Sequence, residues 1–334
     1  MISLFFDMVL ILGIESTAHT FGIGIVKDGK VLSNIKKSYT TEQGGIIPMN
    51  AAKHHKENSE EIYNEAIKNS KIKEEEIDAI AFSQGPGLAP CLIQGMNFAK
   101  KISEKLNIPL VPVNHCVAHL EIGKVTGAKN PVMLYASGAN TQIIAYSSGK
   151  YRIFGETLDV GVGNFIDNFA RYLNLGFPGG PKIEKLAQKG KEYIELPYKV
   201  KGMDIALSGI LTNLKQKIDS KKYKKEDLAY SMQETTFAML VEVAERALAH
   251  TGKKELLLGG GVGCNSRLQE MCKIMCKERG AKFFCPDKSL LVDNGAMIAF
   301  LGEIMFKSNV KEKSEGLDIK PRQRTDDINV SWKN

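Results

Sequence analysis

Apolar runs long enough to cross a membrane are missing from this chain of 334 residues. The one sustained stretch, the opening MISLFFDMVLIL, falls short of the ~18 residues a spanning helix needs and is interrupted by Asp7. It also lacks a preceding basic segment and a small-residue cleavage site, so the sequence predicts no signal peptide, no membrane association and a cytoplasmic location. Paired cysteines are missing as well. The six thiols (Cys91, Cys116, Cys264, Cys272, Cys276, Cys285) are scattered, and none forms the C-x-x-C unit of zinc ribbons or dithiol redox motifs. Cys272 and Cys276, at helical spacing, read as small apolar core residues. No block of one charge stands out: the formal net charge of +7 is spread over mixed-sign runs such as KNSKIKEEE and DSKKYKKED. Such runs solvate helix ends; they are compatible with a polyanionic partner without forming a nucleic-acid stripe. What is left, 43% hydrophobic and 25% charged, is the composition of a globular protein of two domains.

Histidine is scarce too, six in all, yet two of them stand four residues apart in NHCVAHLE, Asn114 to Glu121. Residues at i and i+4 project from one face of a helix, so His115 and His119 can aim at one spot, as metal ligands do. The same spacing also suits a helix that carries one capping and one half-buried histidine. A zincin needs His-Glu-x-x-His, and Cys116 occupies the place of that glutamate, which excludes metal-assisted peptide hydrolysis of that type.

The pattern along the chain repeats itself. VLILGIES, a small polar turn TAHT, and FGIGIVKDGKVLSN read as strand, turn and hairpin, with Asp28-Gly29 as a two-residue hairpin signal. PVMLYASGANTQIIAYSSGKYRIFGE follows the same order around Ser148-Gly149. Placing Gly29-Lys30 on Gly149-Lys150 brings Ile23 onto Ile143 and the turn Thr17 to Thr20 onto Ser137 to Asn140 without a gap. A duplicated α/β fold with a cleft between two lobes is expected. Turns of small hydroxyl residues, Gly and Asn let backbone N–H groups approach phosphate oxygens, although they also serve as plain turns. KELLLGGGVGCN runs from a strand into a helix beginning near Asn265, without the spacing of G-x-G-x-x-G. Asp159, Asp167 and Glu184 supply acceptors suited to a ribose, and Asp293 precedes an apolar helix, where it reads either as a ligand or as an N-cap.

Taken together, GIESTAHT, GGIIP, FSQGPGL, NHCVAHLE, LYASGANTQ, FGETLDVGVGNFIDNFAR, GFPGGPKIEKLA, SMQETTFAMLVEVAERALAHT, GGGVGCNSRLQEM, DNGAMIAF and KPRQRTD resemble one known family. It is the archaeal and eukaryotic branch of the tRNA threonylcarbamoyladenosine synthases, catalytic subunits of KEOPS complexes with bacterial relatives, and the resemblance runs from about Val9 through nearly the whole chain. It implies the duplicated actin/Hsp70/sugar-kinase-like (ASKHA) fold, with lobes at 9–128 and 129–305 and a tail at 306–334. The implied activity is transfer of a threonylcarbamoyl group from threonylcarbamoyl-AMP to N6 of the adenosine 3′ of the anticodon in tRNAs reading codons that begin with A. By the same resemblance one iron or zinc ion per subunit is held by His115, His119, Tyr135 and Asp293. The adenylate, or ATP or ADP, is contacted by Tyr135, Ala136, Ser137, Gly138, Ala139, Asn140, Asp167, Gly180, Glu184 and Asn265. Glu15 and His19 are candidates for catalytic roles near the phosphates or acyl group. The implied partners are tRNA, a kinase-like subunit and a small dimeric subunit. Ala139 replaces the second Gly of the family's Ser-Gly-Gly-Asn, and PMNAAKHH and GLAPCLIQG also depart from the pattern, which bears on substrate grip. A sugar-kinase-like phosphotransferase and a non-catalytic nucleotide-responsive scaffold are the rival expectations.

Overall fold

The structure is a computed structural model that describes residues 8–41 and 45–333, so the apolar opening up to Asp7 and Gly44 of GGIIP lie outside it. The described residues form two compact units. One comprises those of Met1–Tyr39, Ile46–Ile122 and Asp293–Asn334, the other those of Thr40–Gly45 and Gly123–Val292.

The first unit holds a five-stranded sheet of β1 (Leu10–Glu15), β2 (Thr20–Lys27), β3 (Lys30–Ser38), β4 (Ala79–Gly85) and β5 (Leu110–Asn114) in the order β3-β2-β1-β4-β5. Its helices are α1 (Pro48–Ser70), α2 (Ala89–Leu106) and α3 (His115–Glu121). The second unit repeats the plan: β6 (Val132–Ala136), β7 (Thr141–Ser147) and β8 (Lys150–Glu156) open the chain segment. After α4 (Val162–Tyr172), α5 (Gly180–Ala187), the short pair β9 (Val200–Lys201) and β10 (Asp204–Ile205), α6 (Ser208–Asp219) and α7 (Lys225–Thr251) come β11 (Glu255–Gly259), α8 (Ser266–Glu278), β12 (Lys282–Phe284) and α9 (Lys288–Leu291). The second sheet runs β12-β11-β6-β7-β8.

In both sheets the first two hairpin partners are antiparallel and the next strands are parallel to the first. Even the register is shared: Ile14 faces Ile23 as Leu134 faces Ile143, and Glu15 faces Gly22 as Tyr135 faces Gln142. The hairpin turns coincide as well, with φ of 47° and 72° at Asp28-Gly29 and 51° and 77° at Ser148-Gly149. Positive φ at both central residues is the two-residue turn whose twist suits paired strands, which is why those dipeptides were informative.

Strand alternation divides the first sheet into two unlike faces. Leu10, Leu12, Ile14, Phe21, Ile23 and Ile25 pack with Ile62 and Tyr63 of α1 and Met96, Phe98 and Ala99 of α2. Between them, pointing the other way, lie Gly13, Gly22 and Gly24, and against these sits α10 (Gly295–Lys307). A Cβ on Gly24 would stand 2.1 Å from the Ala296 nitrogen, and one on Gly13 2.2 Å from the Ala299 nitrogen. Gly302, one heptad after Gly295, would meet the Ala81 Cβ at 2.4 Å. The helix thus touches the sheet backbone to backbone. A lobe boundary at 305 would have left α10 with the second sheet; these glycines seat it on the first instead, and the boundary is corrected accordingly. The second unit's core gathers Leu134, Phe165, Phe169, Met232, Leu240 and Leu258 from both sheet and helices.

Two tests follow from this packing. Gly24→Ala should cost about 3 kcal/mol or more, because the obstructing atoms are backbone and cannot turn aside; thermal unfolding reads it. His55 of α1 is fully buried against Phe21, and its Nε2 donates to the Ala18 carbonyl at 3.0 Å. Burial first and the neighbouring His54 second lower its pKa to about 4. The folded state therefore favours the neutral ring, a contribution complete above the unfolded value of ~6.5 and lost as pH falls through about 4. Its loss amounts to about 3 kcal/mol, so His55→Gln, which keeps a donor but does not titrate, should flatten the pH dependence of stability in that window.

Candidate functional site

β5 ends in Asn114, whose Oδ1 accepts the Val117 N–H at 3.0 Å and so caps α3. The helix therefore starts at His115, and the i, i+4 spacing sets His115 and His119 side by side, ring centroids 4.8 Å apart. Both are buried, as is Cys116, which packs as a small apolar residue. At the start of α10 it is Asn294 that caps, accepting the Met297 N–H at 3.0 Å. Asp293 is thereby excused from capping. Its Oδ1 lies 3.3 Å from His119 Nε2 and 3.5 Å from His115 Nε2. The three donor atoms all lie within 4.8 Å of one another, the one group of this kind among the described residues. Two donors ~2.1 Å from a common zinc-sized ion at tetrahedral angles are ~3.4 Å apart, so the imidazole–carboxylate spacings fit a metal, and the N, N, O set suits iron or zinc.

Behind His115 stands Glu15, the last residue of β1 and 0% exposed. Its Oε2 is 2.9 Å from His115 Nδ1, while its Oε1 accepts from the Thr17 N–H at 2.7 Å and the Thr17 hydroxyl at 2.5 Å. A carboxylate on Nδ1–H fixes the tautomer and turns the Nε2 lone pair toward Asp293, the usual support for a metal-bound imidazole. Burial opposes the imidazolium at His115, yet the charge and hydrogen bond of Glu15, with Asp293, outweigh it and raise the pKa to about 9. His119, by contrast, is lowered, by burial first and then by the charge of His115, against the pull of Asp293. Burial works against ionised Asp293 as well, but its hydrogen bond with His119 and the charges of both rings hold the carboxyl well below the ordinary range.

The remaining candidates divide by unit. Glu15, expected near phosphate or acyl groups, has Oε1 engaged by Thr17 and Oε2 by His115. His19 is half-buried in the turn after β1, and its charge reaches Asp293, His54 and His55. Tyr135 and Ala136 close β6 in full burial, within the second unit. There the turn Ser137 to Asn140 is closed by the Ser137 N–H bond to the Asn140 carbonyl at 2.9 Å, and the Ser137 and Gly138 carbonyls accept N–H groups of Gly163 and Asn164 in α4. Ala139 is exposed and lies outside the left-handed region, so its Cβ adds no backbone strain. Asp167 Oδ1 accepts the Gly179 N–H at 2.7 Å, just ahead of Gly180 at the start of α5. Glu184 Oε1 accepts from the Ser266 N–H at 2.8 Å and the Ser266 hydroxyl at 2.7 Å. Asn265 caps α8 through Oδ1 and donates to Gln233 Oε1 at 2.9 Å. These bonds draw α4, α5 and α8 together, and Glu184, Gln233, Glu234, Ser266 and Arg267 line a cavity of about 630 Å³, a size suited to a small ligand.

Sequence reasoning missed Thr17, although the polar turn TAHT that contains it was noticed; a threonine two residues after a strand-ending glutamate was the available signal. It also assigned no role to Gln233, Glu234 and Arg267, although they lie within the stretches SMQETTF and NSRLQEM that carry the resemblance. Replacing His115 and His119 together with alanine should abolish metal retention, measured by elemental analysis. Glu15→Gln should weaken it about 10-fold or more while leaving all three donors present.

A family model described as tRNA N6-adenosine threonylcarbamoyltransferase matches residues 30–300. The chain is 55% identical over 324 residues to the tRNA N6-adenosine threonylcarbamoyltransferase of Thermococcus sibiricus, covering 97% of this chain and 100% of the relative. It is 47% identical over 345 residues to a probable tRNA N6-adenosine threonylcarbamoyltransferase of Drosophila melanogaster, covering 98% and 99%. A probable bifunctional tRNA threonylcarbamoyladenosine biosynthesis protein of Methanosarcina barkeri is 51% identical over 326 residues, which are 96% of this chain and 59% of that longer one. Among solved structures, T. kodakarensis HypF aligns with a TM-score of 0.64 at 16% identity over 93% of this chain, which spans only 49% of the HypF chain. Component A of Acidaminococcus fermentans (R)-2-hydroxyglutaryl-CoA dehydratase aligns with a TM-score of 0.53 at 14% identity, covering 88% and 96%. At these identities the two structures share the fold alone, in keeping with the duplicated actin/Hsp70/sugar-kinase-like architecture.

Proposed function

Since the chain belongs to the tRNA N6-adenosine threonylcarbamoyltransferase family, we propose that it transfers the threonylcarbamoyl group of threonylcarbamoyl-AMP to N6 of the adenosine 3′ of the anticodon, in tRNAs reading codons that begin with A. The observation that carries this reading is the convergence of His115, His119 and Asp293 with Glu15 behind His115, in a chain with family relatives along its whole length. In the reaction a bond forms between N6 and the carbamoyl carbon, the bond from that carbon to the phosphate oxygen breaks, AMP leaves, and N6 gives up a proton. The exocyclic amine is a weak nucleophile, so polarising the electrophile and positioning both partners dominate the task. An iron or zinc ion held by the three donors, with the Tyr135 phenol as the fourth that the family resemblance implies, would supply a Lewis acid for a carbonyl or phosphate oxygen of the adenylate.

The protein's own groups divide the rest. Glu15 and Thr17 hold His115 in one tautomer and orientation. His19 is the remaining candidate for contact with the acyl or phosphate group. The turn Ser137 to Asn140 offers amide and hydroxyl donors to phosphate, while Asp167 and Glu184 are carboxylates suited to ribose hydroxyls. Gly180 and Asn265 act through the backbone they shape. A phosphotransferase on this fold would leave the three converging donors without a task, because magnesium in such enzymes is held largely by substrate phosphates.

No helix among the described residues is long and apolar enough to cross a membrane, and a cytoplasmic site of action is proposed. The dispersed net charge of +7 gives a weak, salt-sensitive attraction to tRNA, so a kinase-like subunit and a small dimeric subunit of a KEOPS-type complex are proposed to complete the grip. The bifunctional relatives, which extend well past the matched region, support the involvement of a second activity. The target base, in a single-stranded loop, can be splayed out at low unstacking cost.

The test is nucleoside mass spectrometry after incubating the reconstituted complex with threonylcarbamoyl-AMP and tRNA. Threonylcarbamoyladenosine should form with wild type and fall at least 100-fold with Asp293→Ala; no product from wild type would end the proposal. Adenine nucleotides should bind the chain, and Glu184→Ala should weaken binding by about 1 to 3 kcal/mol, with a melting curve to account for the lost Ser266 bonds.

A further inference from the structure

The segment that follows α10 does not hang from the first unit; it runs along the strands that lead to the donor helix. Glu312 pairs with Leu110 at the start of β5, its N–H and carbonyl both bonded across, at 2.8 and 3.0 Å. Lys320 N–H donates to the Gln84 carbonyl at 2.8 Å, and the Gln84 amide donates back to the Asp318 carbonyl at 2.8 Å. Gly85 is so close that a Cβ there would stand 1.9 Å from the Lys320 oxygen. Next, Gln323 Oε1 accepts from Asn114 Nδ2 at 3.1 Å, and Asn114 is the residue that caps α3. At the other end of α3, Lys333 Nζ lies 3.2 Å from Glu121 Oε1. Glu121 is 0% exposed and the Lys333 side chain 14%. The turn Ser331–Lys333 also rests on α10, which carries Asp293 at its head.

α3 is seven residues long, below the ~12 that sustain a helix in isolation, so its position must come from what surrounds it. Glu121 projects ~200° around the helix from His119, away from the donors. The histidines answer to Asp293 on one side, and the tail answers to Glu121 on the other. We propose that segment 312–333 is a brace for the donor helix, with Gln323 and Lys333 as positioning residues that hold the two ends of α3 and so set the aim of His115 and His119. Gln323 acts through Asn114 and Lys333 through Glu121. The inference rests on the metal reading of the three donors, and its test separates the two.

Zinc affinity of the purified full chain would be measured by competition with a chromophoric chelator, alongside hydrogen exchange of α3 and α1 amides without metal. Lys333→Met should raise the zinc dissociation constant about 10-fold or more and speed exchange in α3 while sparing α1. Lys333→Arg should stay within about threefold of wild type, and the double variant Glu121→Gln/Lys333→Met, which removes both buried charges, should recover most of the loss. Gln323→Ala should move affinity in the same direction by less. An unchanged dissociation constant in Lys333→Met, or exchange that quickens equally in α1 and α3, would overturn the brace. Should wild type bind no zinc, the metal reading falls, and the brace then stands or falls on whether α3 alone loosens in Lys333→Met.

Discussion

Backbone touches backbone where α10 crosses the first sheet, and the placement of the donors depends on that contact. Gly13, Gly22 and Gly24 clear a path on the sheet, and Gly295 and Gly302 clear the matching side of the helix. A helix seated this closely has little room to slide, because any shift drives main-chain atoms together. Asp293 stands just ahead of Asn294, the cap of α10, and α3 packs against the same helix. The carboxylate and the two imidazoles therefore meet through core packing and not through the settling of a loop, which is how a ligand set keeps sub-ångström geometry.

Charge completes what packing begins. Two carboxylates, Glu15 and Asp293, lie on either side of His115, and burial makes both answer strongly to any positive charge between them. The two carboxylates together favour a proton on His115. A divalent cation would answer the same field, and since it can bind His115 only through a free ring-nitrogen lone pair, its uptake would displace the proton that the two carboxylates favour there. Glu15 keeps its place in either state, because Thr17 secures its other oxygen.

Much of this could be read from the sequence wherever a local rule was strong enough to act alone. Asp28-Gly29 and Ser148-Gly149 announced hairpins because few dipeptides accept positive φ twice in succession, and the histidine pair was visible because helical spacing is local. Asp293 was ambiguous for a physical reason: Asp and Asn cap equally well, and in Asp293-Asn294 only the three-dimensional path shows which of the two does so. Harder to see were contacts between distant segments. The membership of α10 in the first unit was written in glycines, at two-residue spacing on β2 and seven-residue spacing on the helix, but each looked like an ordinary small residue until the partner surface was known. Thr17, Gln323 and Lys333 left still less trace, since one hydrogen bond or ion pair to a remote residue creates no periodicity.

The shared register of the two opening hairpins sets Glu15 and Tyr135 at the same place in two copies of one strand, facing Gly22 and Gln142 respectively. Duplication of a scaffold leaves each copy free to specialise, provided the substitution respects the burial that both copies inherit. An acid and a phenol at one inherited position are such a specialisation: the first copy places there a carboxylate bonded to the His115 ring, the second a larger polar ring at the end of its strand. Ancestral reconstruction of this chain would therefore do well to treat the two positions as one historical site, whose divergence marks when the halves ceased to be interchangeable.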